Sequence, residues 1–192
     1  QFGGRRYSHK HRQMVLNVRG SPTLVLPVEE ESQVGHARRV AHGMANKLGF
    51  DESDAGRVAL VATELATNLL KHAGHGALHL RAIPASAGFA MEMISVDRGP
   101  GFNPNECLAD GFSTGGTQGT GLGAQVRQAQ LFDVFSDARG SVVLVQLYPR
   151  HSSALPLRFG VSQHALNGDP ACGDVWQVAA DGQRLSALVI DG

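Results

Sequence analysis

The chain has 192 residues, 42% of them hydrophobic, which is enough for one well-buried domain plus a remnant. Its 17 basic and 17 acidic residues balance to a formal net charge of zero, which argues against a general nucleic-acid or membrane-surface binder. Two distant cysteines, Cys107 and Cys172, make no disulfide scaffold, and no apolar run approaches the roughly 18 residues of a membrane span, so a cytoplasmic protein is expected.

Residues 1–12 are polar and basic without apolar periodicity and read as an arm; nothing supports His9 and His11 as metal ligands. Apolar stretches at 14–18 and 23–27 read as strands. A helix is expected over 29–48. It opens on three glutamates, where the helix dipole favours negative charge, and carries Val34, Ala37, Val40, Ala41, Met44, Ala45 and Leu48 at spacings of three and four. Gly49 ends it. Asp51, Ser53 and Asp54 are candidate caps of a second helix running to about residue 73. Strands follow at 77–83 and 89–96, then a glycine-rich stretch from Asp97 to Gly123. A further helix begins near Gly121, and residues 133–136 and 141–148 form a hairpin.

Helices do not alternate one-for-one with strands. The expected class is therefore α+β, a two-layer sandwich with helices on one face of a mixed sheet. The organisation reads as an arm and first strand (1–22), a main domain (23–149), a linker (150–158) and a C-terminal β-hairpin fragment (159–192) too small to bury its own core.

Three places carry candidate chemistry. On the second helix, Val58, Val61, Ala62, Leu65 and Leu69 make an apolar stripe, while Glu64, Asn68 and Lys71 share another face. Asparagine is a poor helix-interior residue, and a carboxylate one turn from a carboxamide suits hydrated magnesium, which takes oxygen ligands. Asp97 ends an apolar strand ahead of Gly99 and Gly101. A carboxylate there can accept from a base's exocyclic amine, and glycines let backbone approach a flat ring. Residues 111–123 hold six glycines in a run leading into a helix, a setting whose backbone amides favour phosphate. Neither a Walker lysine nor a βαβ glycine fingerprint is present.

Taken in order, Glu64-x-x-x-Asn68, Asp97-x-Gly99-x-Gly101 and Gly119-x-Gly121-x-Gly123 resemble the three boxes of the GHKL (HATPase_c, Bergerat-fold) ATPases over roughly residues 23–148. The text Glu64-Leu-Ala-Thr-Asn68, His72-Ala-Gly74, Asp97-Arg-Gly-Pro-Gly101 and Asp110-Gly-Phe-Ser-Thr-Gly115 is similar to the anti-sigma regulatory serine kinases of the RsbT/RsbW/SpoIIAB type, nearest the RsbT branch. The resemblance implies ATP and Mg2+ as cofactors. It implies Glu64 as activating carboxylate, Asn68 as magnesium holder, Asp97 as adenine reader, and Gly99 and Gly101 as nucleotide-approach glycines. Lys71, Thr114, Gly119, Thr120, Gly121, Leu122 and Gly123 would lie around the phosphates.

It implies a protein-serine kinase of a sigma-factor partner-switching pathway, phosphorylating a STAS-domain antagonist. A sigma factor or a phosphatase is a further candidate partner, a homodimer is one assembly option, and neither nucleic acid nor membrane is expected. The alternative is an ATP-gated module that sequesters a partner, or the regulatory domain of a kinase–phosphatase fusion. The tail supplies that last idea. Gly173-Asp-Val-Trp176 and Val189-Ile-Asp-Gly192 resemble the first aspartate motifs of SpoIIE/RsbX-type, type 2C-like phosphatases. Asp174, Asp191 and Gly192 would then be part of an incomplete Mn2+ or Mg2+ site, without phosphatase activity. If Asp181 and Gly182 form the hairpin turn, Asp174 faces Val189 and both carboxylates share one face.

Overall fold

A computed structural model describes residues 16–19, 23–104, 129–155, 173–181 and 184–191. The chain divides into two compact units, one of residues 21–161 and one that joins residues 1–20 to 162–192.

In the smaller unit, β1 (Leu16–Arg19) lies antiparallel to β7 (Val175–Asp181), which pairs in turn with β8 (Arg184–Ile190). The first strand, expected beside the arm, is thus a sheet partner of the C-terminal hairpin. No local pattern in residues 14–18 specifies a partner that far along the chain.

The larger unit contains β2 (Leu24–Val28), α1 (Glu31–Lys47), α2 (Glu52–Asn68), a π-helical turn (Leu69–Ala73), β3 (Gly76–Pro84), β4 (Phe89–Asp97), β5 (Leu131–Asp137) and β6 (Gly140–Leu147). Its sheet runs in the order β2-β3-β4-β6-β5, and every described pairing is antiparallel rather than mixed. The connections explain this. Strands β3–β4 and β5–β6 are direct hairpins, whereas a parallel pair needs a crossover. Between β2 and β3 the chain makes two helices, one down and one back, and so re-enters the sheet from the end it left.

Both helices start on local caps. Gln33 Oε1 accepts from the Glu30 amide at 3.0 Å, and Asp51 Oδ1 accepts from the Asp54 amide at 2.7 Å. Gly49, at φ +84°, closes α1. Ala37, Ala41 and Ala45 of α1 and Val58, Val61, Ala62 and Leu65 of α2 pack on Leu78, Leu80, Met91, Met93, Val143, Val145 and Leu147. On each strand these sheet residues stand two apart, so they line one face. Burying each leucine or methionine contributes about 2 kcal/mol. The opposite face carries a polar row in register, Arg81–Glu92–Gln146. The buried Glu92 carboxylate is bonded by Arg81, and at 2.7 Å by the Gln146 amide.

Asp54 is not a cap. It is buried, its Oδ1 accepts from Arg57 Nη2 at 3.0 Å, and its Oδ2 accepts from the Arg150 amide at 2.8 Å. Arg57 Nη2 also donates to the Tyr148 carbonyl at 2.8 Å. The start of α2 is thereby tied to the segment that leaves β6.

Candidate functional site

The apolar stripe of α2 points into the core, with Val58, Val61, Ala62, Leu65 and Leu69 all buried. This orientation leaves Glu64 and Asn68 half-buried on the helix's other face, with Lys71 exposed beyond them. Burial pushes the Glu64 carboxyl above the usual carboxylate range, and the Lys71 charge partly opposes that shift. Asn68 is the last α-helical residue. The backbone then widens into the π-helical turn, which keeps Leu69 in the core while Lys71 and His72 face solvent. Such single turns are frequent at functional sites.

Asp97 sits at the end of β4. Its Oδ1 accepts from the Gly99 amide at 2.8 Å and from the Ser141 amide at 3.2 Å. Oδ2 has no partner among the described residues. The glycines beside it are required by close packing. A Cβ on Gly99 would stand 2.7 Å from Ala73 Cβ. Gly101, at φ +73°, would place a Cβ 2.1 Å from the Asp137 carbonyl oxygen. Gly99 thereby seats the Asp97 loop against the π-helical turn that follows Asn68, which brings two of the three sequence boxes together.

Sequence reasoning overlooked three residues here. Gly140, at φ +139°, lies against Asp97, and a Cβ would meet the Asp97 carbonyl oxygen at 2.1 Å. Ser136 Oγ accepts from the Phe102 amide at 2.9 Å and lies 2.9 Å from Ser141 Oγ. Together these fasten the 97–102 loop to the β5–β6 hairpin. The signal was a pair of serines facing each other, Ser136 with Ser141, beside the turn glycine of otherwise apolar strands.

Thr114, Gly119, Thr120, Gly121, Leu122, Gly123 and Gly192, the helix expected after Gly121, Cys107, Cys172 and the histidines of the arm lie outside the described residues. In the smaller unit the hairpin register differs from expectation. Asp181 belongs to the strand and pairs with Arg184, while Val189 faces Trp176. The outermost pair is Val175 with Ile190, and Asp174 just before β7 and Asp191 just after β8 are both exposed. Among the described residues no three His, Cys, Asp or Glu side chains gather into a metal-binding group. No described helix is long and apolar enough to cross a membrane.

Residues 26–147 match the family described as Histidine kinase-like ATPase domain. The chain is 34% identical over 101 residues to the serine/threonine-protein kinase RsbT of Bacillus subtilis (strain 168), covering 52% of this chain and 74% of that one. Among solved structures, the RsbU and RsbW domains of a Mycobacterium tuberculosis protein align with a TM-score of 0.48 and 17% identity, over 73% of this chain and 35% of that one. The chain therefore spans about a third of that structure. The histidine kinase domain of a blue-light activated histidine kinase from Erythrobacter litoralis aligns with a TM-score of 0.37 and 20% identity, over 60% of this chain and 59% of that one.

Proposed function

Because the chain belongs to the histidine kinase-like ATPase domain family, we propose that it is a cytoplasmic protein-serine kinase of a partner-switching pathway. It would transfer the γ-phosphate of ATP to a serine of a STAS-domain antagonist. The observation that carries this reading is the Glu64–Asn68 pair on one face of α2, with Glu64 partly withdrawn from water. A module that only binds ATP has no use for a desolvated carboxylate one turn from the magnesium ligand.

The residues fit a nucleotide with its metal. The Asn68 carboxamide offers one neutral oxygen, which suits an ion that keeps most of its waters. When bound with ATP, magnesium supplies charge neutralisation at the phosphates. Asp97 Oδ2 would accept from the adenine amine, a reading supported by its other oxygen being held by backbone amides. Lys71 offers a point charge to the phosphates. The glycine-rich residues Gly119, Gly121 and Gly123, with Thr114, Thr120 and Leu122, would close over them. Glu64 orients the acceptor hydroxyl and takes its proton, and the raised pKa improves that transfer near neutral pH. Phosphoryl transfer is mostly positioning and charge stabilisation, so these few groups suffice.

For residues 159–192 the reading is the opening of a type 2C-like phosphatase domain, supported by Asp174 standing just before β7 and Asp191 just after β8, at the end of the hairpin whose last pair is Val175 with Ile190.

The test is transfer of radiolabelled phosphate from MgATP to purified STAS-domain proteins of the same genome, with Asn68→Ala as control. Serine phosphorylation that falls by about a hundredfold in the variant supports the kinase. ATP binding with no transfer to any STAS protein would replace it by an ATP-gated binding module.

A further inference from the structure

From the burial of β4 we infer that Ser95 is a second base-reading residue, whose hydroxyl donates to ring nitrogen N1 of the adenine whose amine Asp97 accepts. The inference rests on the reading of Asp97 above as a nucleotide contact, and not on phosphate transfer.

Among the described residues the buried polar or charged side chains are Asp54, Glu92, Ser95 and Ser141. Three of these are bonded. Asp54 holds Arg57 and the Arg150 amide, Glu92 holds Arg81 and Gln146, and Ser141 Oγ lies 2.9 Å from Ser136 Oγ. The Ser95 hydroxyl has no hydrogen-bond partner among the described residues. A hydroxyl withdrawn from water without a bond costs free energy, and an alanine would fill the same place in the strand without that cost. Buried polar groups left unpaired are few in folded chains, and a ligand is one way to complete them.

The position of Ser95 says which ligand. Residues 91, 93, 95 and 97 of β4 fall on one face of the sheet, and Met91 and Met93 of that row pack with the helices in the core. Ser95 and Asp97 therefore face the same way, about 7 Å apart along the strand. Across the sheet Ser95 is flanked by Leu78 and Val143, both core residues with nothing to bond it. The π-helical turn packs on β4, and its Ala73 lies against Gly99 of the Asp97 loop. Accessibility falls along the row. Asp97 is half-buried, Ser95 keeps 5% of its surface, and Met93 and Met91 keep none. Ser95 is thus the innermost residue of the row that a molecule beside Asp97 can touch.

Adenine matches this order of groups. Its amine is a donor and suits the Asp97 Oδ2 left open by the backbone amides. The neighbouring N1 carries a lone pair and no hydrogen, so it needs a donor. A carboxylate cannot be one, and a serine hydroxyl can. Two ring nitrogens, N1 and N7, flank the amine, and N1 is the farther from the ribose-bearing N9. With the ribose directed outwards, N1 meets the deeper of the two protein groups, which is Ser95.

The test uses the full chain with Mg2+. A fluorescent ribose-modified ATP is displaced by ATP, 1-deaza-ATP and 7-deaza-ATP, from wild type and from Ser95→Ala. On wild type, 1-deaza-ATP should bind about three- to tenfold more weakly than ATP, the worth of one neutral hydrogen bond, and 7-deaza-ATP should bind like ATP. Ser95→Ala should weaken ATP by the same factor and leave 1-deaza-ATP unchanged, so that the two ligands become equal. Without nucleotide, Ser95→Ala should melt at the wild-type temperature or above it, because no internal bond is lost. A fall in that temperature would mean that the hydroxyl serves the fold, and would overturn the proposal. So would an unweakened affinity of Ser95→Ala for ATP, a 1-deaza penalty that survives the substitution, or a penalty that falls on 7-deaza-ATP instead. In each of those cases ATP still binds, and the reading of Asp97 stands. If wild type binds no ATP, that reading fails and the role of Ser95 fails with it.

Discussion

The two ends of α2 hold carboxylates in opposite circumstances. Asp54, near the start, is nearly inaccessible to water, yet both its oxygens are occupied, one by Arg57 and one by the Arg150 amide. Glu64, ten residues later and about 15 Å along the axis, is only half-buried, has no hydrogen-bond partner among the described residues, and has its pKa raised by desolvation. Burial alone therefore does not mark a functional acid. A buried carboxylate that is fully bonded is a fastener, whereas a partly buried one with no donor among the described residues is a candidate acid or base.

Removing each group should expose that difference, and the largest effect on stability belongs to the first. Asp54→Ala removes a carboxylate partner of Arg57 and leaves the Arg150 amide without the acceptor it has here. It should lower unfolding stability by about 3–5 kcal/mol, measured by urea denaturation. A loss under about 1 kcal/mol would mean that the pair is solvated in solution and that the fastener reading is wrong. Glu64→Gln should behave oppositely. Phosphate transfer should fall by about a hundredfold or more, with stability unharmed. The sign follows from linkage. A carboxyl whose folded pKa is raised adds stability below its unfolded pKa, and that stability is lost as pH rises through the folded value. At neutral pH the ionised Glu64 thus works against the fold, and the glutamine should melt at the same temperature or about 1–2 °C higher. A clear drop in melting temperature would give Glu64 a structural bond of the Asp54 kind.

A third change probes the shell around Asp97. Gly140→Ala forces a Cβ into the Asp97 carbonyl at a φ that L residues rarely adopt. It should cost about 1–3 kcal/mol and weaken ATP binding several-fold, by moving the strand end that carries the carboxylate. Equilibrium binding of a fluorescent ATP analogue checks this, and unchanged affinity would separate Gly140 from the nucleotide site.

What could be read from the sequence follows the range of the forces involved. The helices, their apolar stripes and the shared face of Glu64, Asn68 and Lys71 are periodic, and periodicity is local. The boxes around Asn68 and Asp97 could be found because residue type and spacing carry their chemistry. Asp54 looked like a cap because aspartate near a helix start usually is one, whereas its partner amide lies 96 residues away. Strand β1 gave no hint that it pairs with β7, and the β7–β8 register hung on which residue ends the strand. Gly99 and Gly101 were read as making room for a nucleotide, and the structure adds that Ala73 and the Asp137 carbonyl already demand them. Long-range register and close backbone approach leave little trace in a single sequence.

The smallest expected effect is the most discriminating for the Glu64 end of α2. Lys71 pulls the Glu64 pKa down against the upward push of burial. Lys71→Gln removes that pull, so the Glu64 pKa should rise further above the ordinary carboxylate range. If Glu64 must be ionised to take the acceptor proton, transfer rate falls as pH drops through that pKa, and in the variant the acid limb of the pH–rate profile moves to higher pH. Lys71→Arg keeps the charge and should leave the limb in place. The plateau above the limb would instead report the proposed contact of the side chain with phosphate, so the two proposed roles of Lys71 would separate within one data set. A lowered plateau with an unmoved limb would leave Lys71 as a phosphate contact outside Glu64's field. A limb that shifts upward would show that the Glu64 carboxylate is tuned by its neighbour.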